Sequence, residues 1–229
     1  MSSNHIVKSY DKDLNYLNHQ ITDMGQLVIS QLKAAIQAVM NRDIVIATAV
    51  IEKDPMVDAF ENEIDTVAVR TIALRQPVAG DLRSVIAALK ISSHLERIAD
   101  YAANISRRAI SLSDVTKFPP MSPVPRMALV AEGMINDVLN AYTTRDDDKA
   151  LAVWQRDAEL DDMYVSFLRE LLTYMMEDPR NIGPCTQLLF VAKNIERIGD
   201  HATNIAEMVH YMVSGLPFKE PRPIGNRNA

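Results

Sequence analysis

A chain of 229 residues with 48% apolar side chains is long enough to bury a real core and sets a prior of one or two domains. Its 24 Lys and Arg against 30 Asp and Glu leave a net charge of −6, which excludes the basic face of a nucleic-acid binder and favours metal ions or basic protein surfaces as partners. A single cysteine, Cys185, excludes an intrachain disulfide framework and a thiolate zinc cage and suits a reducing compartment.

Only 7 glycines and 6% aromatics, among runs rich in Ala, Leu, Ile, Met, Glu and Arg, predict an all-α protein. The N-terminus lacks the basic flank and apolar stretch of a signal peptide, and no apolar run is long enough to span a bilayer, so the cytoplasm is the expected compartment. In chain order, helical segments are predicted at 8–40, 43–75 and 80–112, then at 123–143, 146–177 and 182–214. Lys117 to Pro125 holds four prolines in nine residues, which helix interiors do not accept, and marks a linker over 116–125. The expected architecture is therefore two tandem antiparallel three-helix bundles of six long helices, at 8–115 and 126–215. The Pro-rich, polar stretch 216–229 is expected to be a mobile tail, with no function assigned.

The two halves repeat. Leu95-Glu-Arg-Ile-Ala-Asp-Tyr-Ala-Ala-Asn-Ile105 and Ile195-Glu-Arg-Ile-Gly-Asp-His-Ala-Thr-Asn-Ile205 lie 100 residues apart and share seven of eleven positions. Upstream, Met24, Leu32, Ile36, Asp43, Asp54 and Asp58 match Met127, Ile135, Leu139, Asp146, Asp157 and Asp161 at an offset of 103. The third helix of each half carries one apolar stripe, Ile91, Leu95, Ile98, Ala102, Ile105, Ala109 and Leu112 in the first and Val191, Ile195, Ile198, Ala202, Ile205, Val209 and Met212 in the second.

Opposite that stripe stand Glu96, Asp100 and Asn104, and in the second copy Glu196, Asp200 and Asn204. Carboxylates spaced i, i+4 stack on adjacent turns, where both can reach one hard cation, and without a cation they repel. The second helix adds Asp54, Asp58, Glu61 and Asp65 opposite a stripe of Phe60, Ile64, Val67 and Leu74. In the other half Asp157 and Asp161 persist, but Tyr164 and Leu168 replace the second pair, so the first half is expected to hold the better site. A solvated helix face is the simpler reading of any single pair; five pairs recurring across a repeat favour ligation. All-oxygen donors suit Mg²⁺, Mn²⁺ or an iron better than zinc or copper. Arg97 and Arg197 are read either as partners of these acids or as grips for a carboxylate or phosphate.

A carboxylate-bridged di-metal enzyme requires Glu-x-x-His on two helices, and the chain has one such spacing, Glu207 with His210. It also lacks a Gly-rich phosphate loop and a Gly-x-Ser-x-Gly elbow. Cys185, Trp154 and Tyr174-Met-Met176 are read as packing, and the five histidines form no ligand cluster in sequence.

On Arg75-Gln-Pro-Val-Ala-Gly-Asp-Leu-Arg83, Leu95-Glu-Arg-Ile-Ala-Asp100, Tyr174-Met-Met-Glu-Asp178 and Ile195-Glu-Arg-Ile-Gly-Asp200, in that order, the chain resembles the PhoU family from about residue 10 to 215. The resemblance implies a motif of Glu or Asp followed four residues later by Asp, matched by Glu61 with Asp65, Glu96 with Asp100 and Glu196 with Asp200, and more loosely by Asp54 with Asp58 and Asp157 with Asp161. It implies a non-enzymatic, metal-binding adaptor that represses phosphate uptake and the phosphate-starvation response. Its partners would be the ATPase subunit of a phosphate ABC transporter and a sensor histidine kinase, with the membrane reached only through them and a homodimer expected. The segment with Arg75, Pro77, Asp81 and Arg83 is the candidate partner surface, alongside Arg97 and Arg197; the competing role for the segment is a structural turn with Asp81 as cap. The alternatives are the di-metal enzyme and a metal-independent helical scaffold.

Overall fold

The computed structural model of the chain describes residues 2–115 and 121–218. Its elements are α1 (Ser2–Asn41), α2 (Ile44–Glu52), α3 (Asp54–Arg75), α4 (Gly80–Leu112), α5 (Pro123–Thr144), α6 (Asp147–Gln155), α7 (Asp157–Glu177) and α8 (Ile182–Ser214), with a short 3₁₀ turn at Pro179–Asn181 before α8. The six long segments are all present, and the middle one of each half is jointed. In the first half Pro55 opens α3 and cannot donate back into α2, so the ladder breaks at Lys53. The same joint forms at Arg156, although Ala158 stands where Pro55 would align. There Arg156 keeps right-handed helical angles and its side chain donates to Asp137 of α5 at 2.9 Å.

Local chemistry repeats as faithfully as the sequence does. α1 and α5 each end in a left-handed arginine, Arg42 (φ 57°) and Arg145 (φ 55°). Asp43 and Asp146 follow in extended conformation, and each accepts a hydrogen bond at 3.0 Å from the backbone N–H three residues on. α5 begins at Pro123, where the predicted 123–143 segment begins, so Pro123 and Pro125, counted in the expected linker 116–125, lie in its first turn, where a missing N–H is tolerated. Residues 116–120 of the expected linker and 219–229 of the expected tail lie outside the described residues. The start of that tail is packed: Phe218 stacks on His210 at 4.0 Å and against Trp154 at 4.9 Å.

The apolar stripes of α4 and α8 are buried along their whole lengths, and each fully buried Ile or Leu contributes on the order of 1.5–3 kcal/mol. In α3 the stripe is shorter than expected: Ile64 and Val67 are buried, Phe60 is half-buried and Leu74 is exposed, the last turn packing instead through Thr71, Ile72 and Arg75. The two halves meet through α4 against α8 and α1 against α5. Both pairs are antiparallel: His94 meets His201 and Arg108 meets Gln187, while Asn18 meets Tyr142 and Lys33 meets Glu132. The repeat is thus an approximate two-fold, with α1, α4, α5 and α8 at its centre. α3 and α7 make no contact with each other and lie on opposite flanks.

Candidate metal centre

The two ladders of a half face each other along one seam; in the first half Asp54, Glu61, Glu96 and Asp100 are half-buried there, while Asp58 is exposed at its rim. α3 runs antiparallel to α4, so Asp54 faces Asp100, Asp58 faces Glu96, and Glu61 reaches Ser93 and Glu96. Packing this many carboxyls together raises their proton affinity. Glu96 is pushed up to about 7, first by burial, then by Asp100, with Arg97 opposing and Glu61 and Asp58 adding. Burial, then Asp65, raises Glu61; burial, then Asp100, raises Asp54. Asp65 lies exposed one turn beyond the cluster. Arg97 offsets part of the charge, with Nε 3.3 Å from Glu96 and Nη1 3.1 Å from Asp100, from a side chain that is 57% exposed. Asn104 accepts from Arg107 at 2.7 Å, which closes the end of the row.

Among the described residues no three His, Cys, Asp or Glu side chains already converge as a metal-ligand set. The donor chemistry nonetheless fits a hard cation: it is all oxygen, partly desolvated and short of positive charge.

The seam between α7 and α8 repeats the first two rungs and changes the third. Asp157, Asp161 and Glu196 are only 3%, 2% and 2% exposed, so Glu196 does not belong to an outward row as the helical spacing predicts; α7 packs over it. Asp157 accepts from Thr203 at 3.3 Å, and Asp161 and Asp200 both act on Glu196. Where the first half has Glu61 and Ser93, the second has Tyr164 and Lys193. Lys193 Nζ lies 2.6 Å from Glu196 Oε1 and 5.2 Å from the Tyr164 ring centre. Sequence reasoning missed Lys193. The signal was available at the offset of 100, which sets it against Ser93 and three residues before Glu196.

The remaining expected site residues are placed as follows. Arg75 donates to Asp13 of α1 at 3.1 Å, and the Arg83 guanidinium packs against Gly215 at the end of α8. Asp81 is not the cap: Ala79 occupies that position without a side-chain bond, and Asp81 lies within the first turn, its carbonyl accepting from Tyr10 at 3.0 Å. Pro77 follows the left-handed Gln76 that ends α3. The turn is thus tied down structurally, with Val78 as its most exposed apolar group. Arg197 lies over the Tyr101 ring at 5.8 Å. Glu207 and His210 diverge, Glu207 accepting from Trp154 at 3.2 Å and His210 bonding Asp147 at 2.6 Å, so the Glu-x-x-His spacing builds no joint site. Cys185, Trp154, Tyr174 and Met175 pack as expected, but Met176 is 86% exposed.

The PhoU domain family model matches twice, at residues 21–109 and 124–209, one match per bundle. The chain belongs to the PhoU family. A phosphate-specific transport system accessory protein PhoU homologue of Caulobacter vibrioides is 50% identical over 223 residues, spanning 96% of each chain. Its counterpart in Zymomonas mobilis is 46% identical over 216 residues, 94% of this chain and 91% of that one. The crystal structure of PhoU from Pseudomonas aeruginosa superposes with a TM-score of 0.87 at 39% identity, covering 90% of this chain and all of the other. That of the phosphate transport system regulatory protein PhoU from Streptococcus pneumoniae gives 0.86 at 27% identity, over 92% of this chain and all of the other. The two PhoU repeats thus coincide with the two bundles, and the acidic seams fall inside the matched regions. Among the described residues no helix is long and apolar enough to cross a membrane.

Proposed function

We propose that this chain is an accessory and regulatory protein of a phosphate-specific transport system, acting as a non-enzymatic negative regulator of phosphate uptake and of the phosphate-starvation response. The observation that supports it is relationship over nearly the whole chain, on both repeats, to proteins named as accessory proteins of a phosphate-specific transport system. We read it as a cytoplasmic adaptor, working as a homodimer, between the ATPase subunit of the transporter and a sensor histidine kinase. A fold that presents long helical faces, with its one Glu-x-x-His spacing committed to separate structural contacts, supports an adaptor over the di-metal enzyme.

Asp54, Asp58, Glu61, Glu96 and Asp100 would hold a hard cation such as Mg²⁺, Mn²⁺ or iron, which supplies the positive charge the seam lacks. The residues of α3 and α4 then no longer repel across the seam, and the angle between the two helices becomes sensitive to occupancy. The fit of the donor set supports metal-dependent docking over a metal-independent scaffold.

The test is capture of the tagged full chain from cells grown with abundant phosphate. Recovery of a transporter ATPase subunit and a sensor kinase is expected, reduced by chelator and by the double change Glu96→Gln with Asp100→Asn. Recovery of neither overturns the adaptor reading; recovery indifferent to chelator and to the variant leaves an adaptor that docks without metal.

A further inference from the structure

The two acidic seams have the same register and the same first two rungs, yet one is open and the other closed. Five carboxyls line the α3–α4 seam, with Asp65 exposed one turn beyond, and four line the α7–α8 seam, because Tyr164 stands where Glu61 aligns and Leu168 where Asp65 does. The seams differ next in their cations. The first has Arg97, whose side chain is 57% exposed, and Arg107, which acts on Asp54 from the end of the row; neither sits at the Glu61–Ser93 rung. The second has Lys193 on α8, half-buried within the seam, its ammonium 2.6 Å from the carboxylate of Glu196 and 5.2 Å from the centre of the Tyr164 ring. Asp161, Tyr164, Val165, Leu168, Lys193 and Glu196 line one small cavity of about 250 Å³ at this point.

We propose that Lys193 is the built-in cation of the α7–α8 seam, neutralising the carboxylates that a metal ion would otherwise bridge, so that the chain takes metal through its first half alone. This rests on the reading of the α3–α4 seam as the metal site. A carboxylate as buried as Glu196 is stable only when closely paired, and an ammonium at 2.6 Å supplies that pairing from within the chain. The same ammonium repels an incoming divalent ion and occupies the oxygen that ion would need. Tyr164 strengthens the arrangement, because an aromatic face stabilises a partly desolvated ammonium, whereas the aligned Glu61 offers a further anionic oxygen. The asymmetry therefore follows from one rung: Glu and Ser recruit a cation from solution, Tyr and Lys carry one on the chain.

The experiment measures Mn²⁺ binding to the full chain, stripped with chelator, by calorimetry and by metal analysis after gel filtration. Wild type is expected to bind through one class of site that Glu96→Gln with Asp100→Asn removes. In that disabled background, restoring the first-half rung with Tyr164→Glu and Lys193→Ser should bring Mn²⁺ binding back, tighter by about tenfold or more than the background. Adding Glu196→Gln should abolish it again. Two outcomes overturn the proposal: no gain on restoring the rung in a folded variant, or Mn²⁺ binding by the disabled background that Glu196→Gln removes while Lys193 is in place. A wild type that binds no Mn²⁺ sinks the metal reading of the first half instead. Lys193 is then decided by thermal melting: Lys193→Met should melt several degrees lower and be rescued by adding Glu196→Gln, and a Lys193→Met that melts like wild type overturns its role. The same melt decides the matter if the restored-rung variant fails to fold.

Discussion

Leu160 of α7 lies directly over Gly199 of α8, so close that a Cβ on Gly199 would come 2.5 Å from Leu160 Cδ2. The corresponding pair in the first half is Val57 and Ala99, both buried. One methylene has moved across the seam: the larger side chain on α7 is matched by the loss of a methyl on α8. Gly199→Ala alone should cost about 1–3 kcal/mol by overpacking, less about 1 kcal/mol gained in helix propensity. Leu160→Val alone should cost about 0.5–1.5 kcal/mol as a cavity. The double variant recreates the first-half pair and is expected to be more stable than the sum of the two changes predicts. Urea melts of the four proteins check it; strict additivity would show that the pair is not coupled.

Asp43 and Asp146 are the same cap made twice, with equal backbone angles and equal 3.0 Å bonds to the N–H of Ile46 and Lys149. Replacing either by Ala should cost about 1 kcal/mol. The two lie on different helices with no shared hydrogen-bond partner, so the costs should add. Denaturant titration of both single variants and the double checks this. A much larger loss at Asp146 alone would mean that its neighbour Asp147, bonded to His210 at 2.6 Å, is disturbed as well.

The repeat offsets of 100 and 103 made the six long helical segments and the pairing of Asp43 with Asp146 legible, because these depend on local periodicity; that the two Asp residues are the caps was not legible, and the sequence offered Asp81 for that role instead. The i, i+4 carboxyl pairs were legible for the same reason. What neighbouring helices do to a face was not. Spacing along α8 sets Glu196 opposite its main stripe, but α7 packs over that side, so a residue expected in water is 2% exposed. The meeting of Glu61 with Ser93 and of Tyr164 with Lys193 depends on the register between two antiparallel helices, which no single helix encodes. The joint at Arg156 forms without a proline, so no breaker residue marks it in the sequence as Pro55 marks the first.

Glu96 gives a pH dependence of definite sign. Its carboxyl titrates at about 7 in the folded chain against 4.5 as the ordinary value, raised by burial and then by Asp100. The native state therefore holds the proton that the unfolded state has released, and stability falls as the pH rises from about 4.5 to about 7. Glu61 and Asp54 shift in the same direction. Metal-free wild type should lose melting temperature between pH 5 and 8 relative to Glu96→Gln, and saturating Mn²⁺ should remove that difference. Parallel pH profiles of the two metal-free proteins would contradict a crowded, partly desolvated Glu96.

The histidine pair between the halves acts in the opposite sense. His94 of α4 meets His201 of α8 Nδ1 to Nδ1 at 3.1 Å, with Tyr101 against His201 from the same helix as His94. Burial, then His201, then Lys90 lower His94 from 6.5 to about 4. The unfolded chain thus takes up the proton first on acidification. The contribution of a neutral His94 is complete above about 6.5 and is lost as the pH falls towards 4. Since α4 against α8 is the central contact between the two bundles, that loss falls on the packing of one half on the other. Two single variants separate the opposing limbs. In Glu96→Gln the acid-side loss from His94 should steepen, opposed only by the remaining raised carboxyls Asp54, Glu61 and Glu196; in His94→Gln the alkaline-side loss from Glu96 should remain, with the acid limb flattened. Melting curves from pH 4.5 to 8 without metal read both, and an acid limb that persists unchanged in His94→Gln would assign it to other groups.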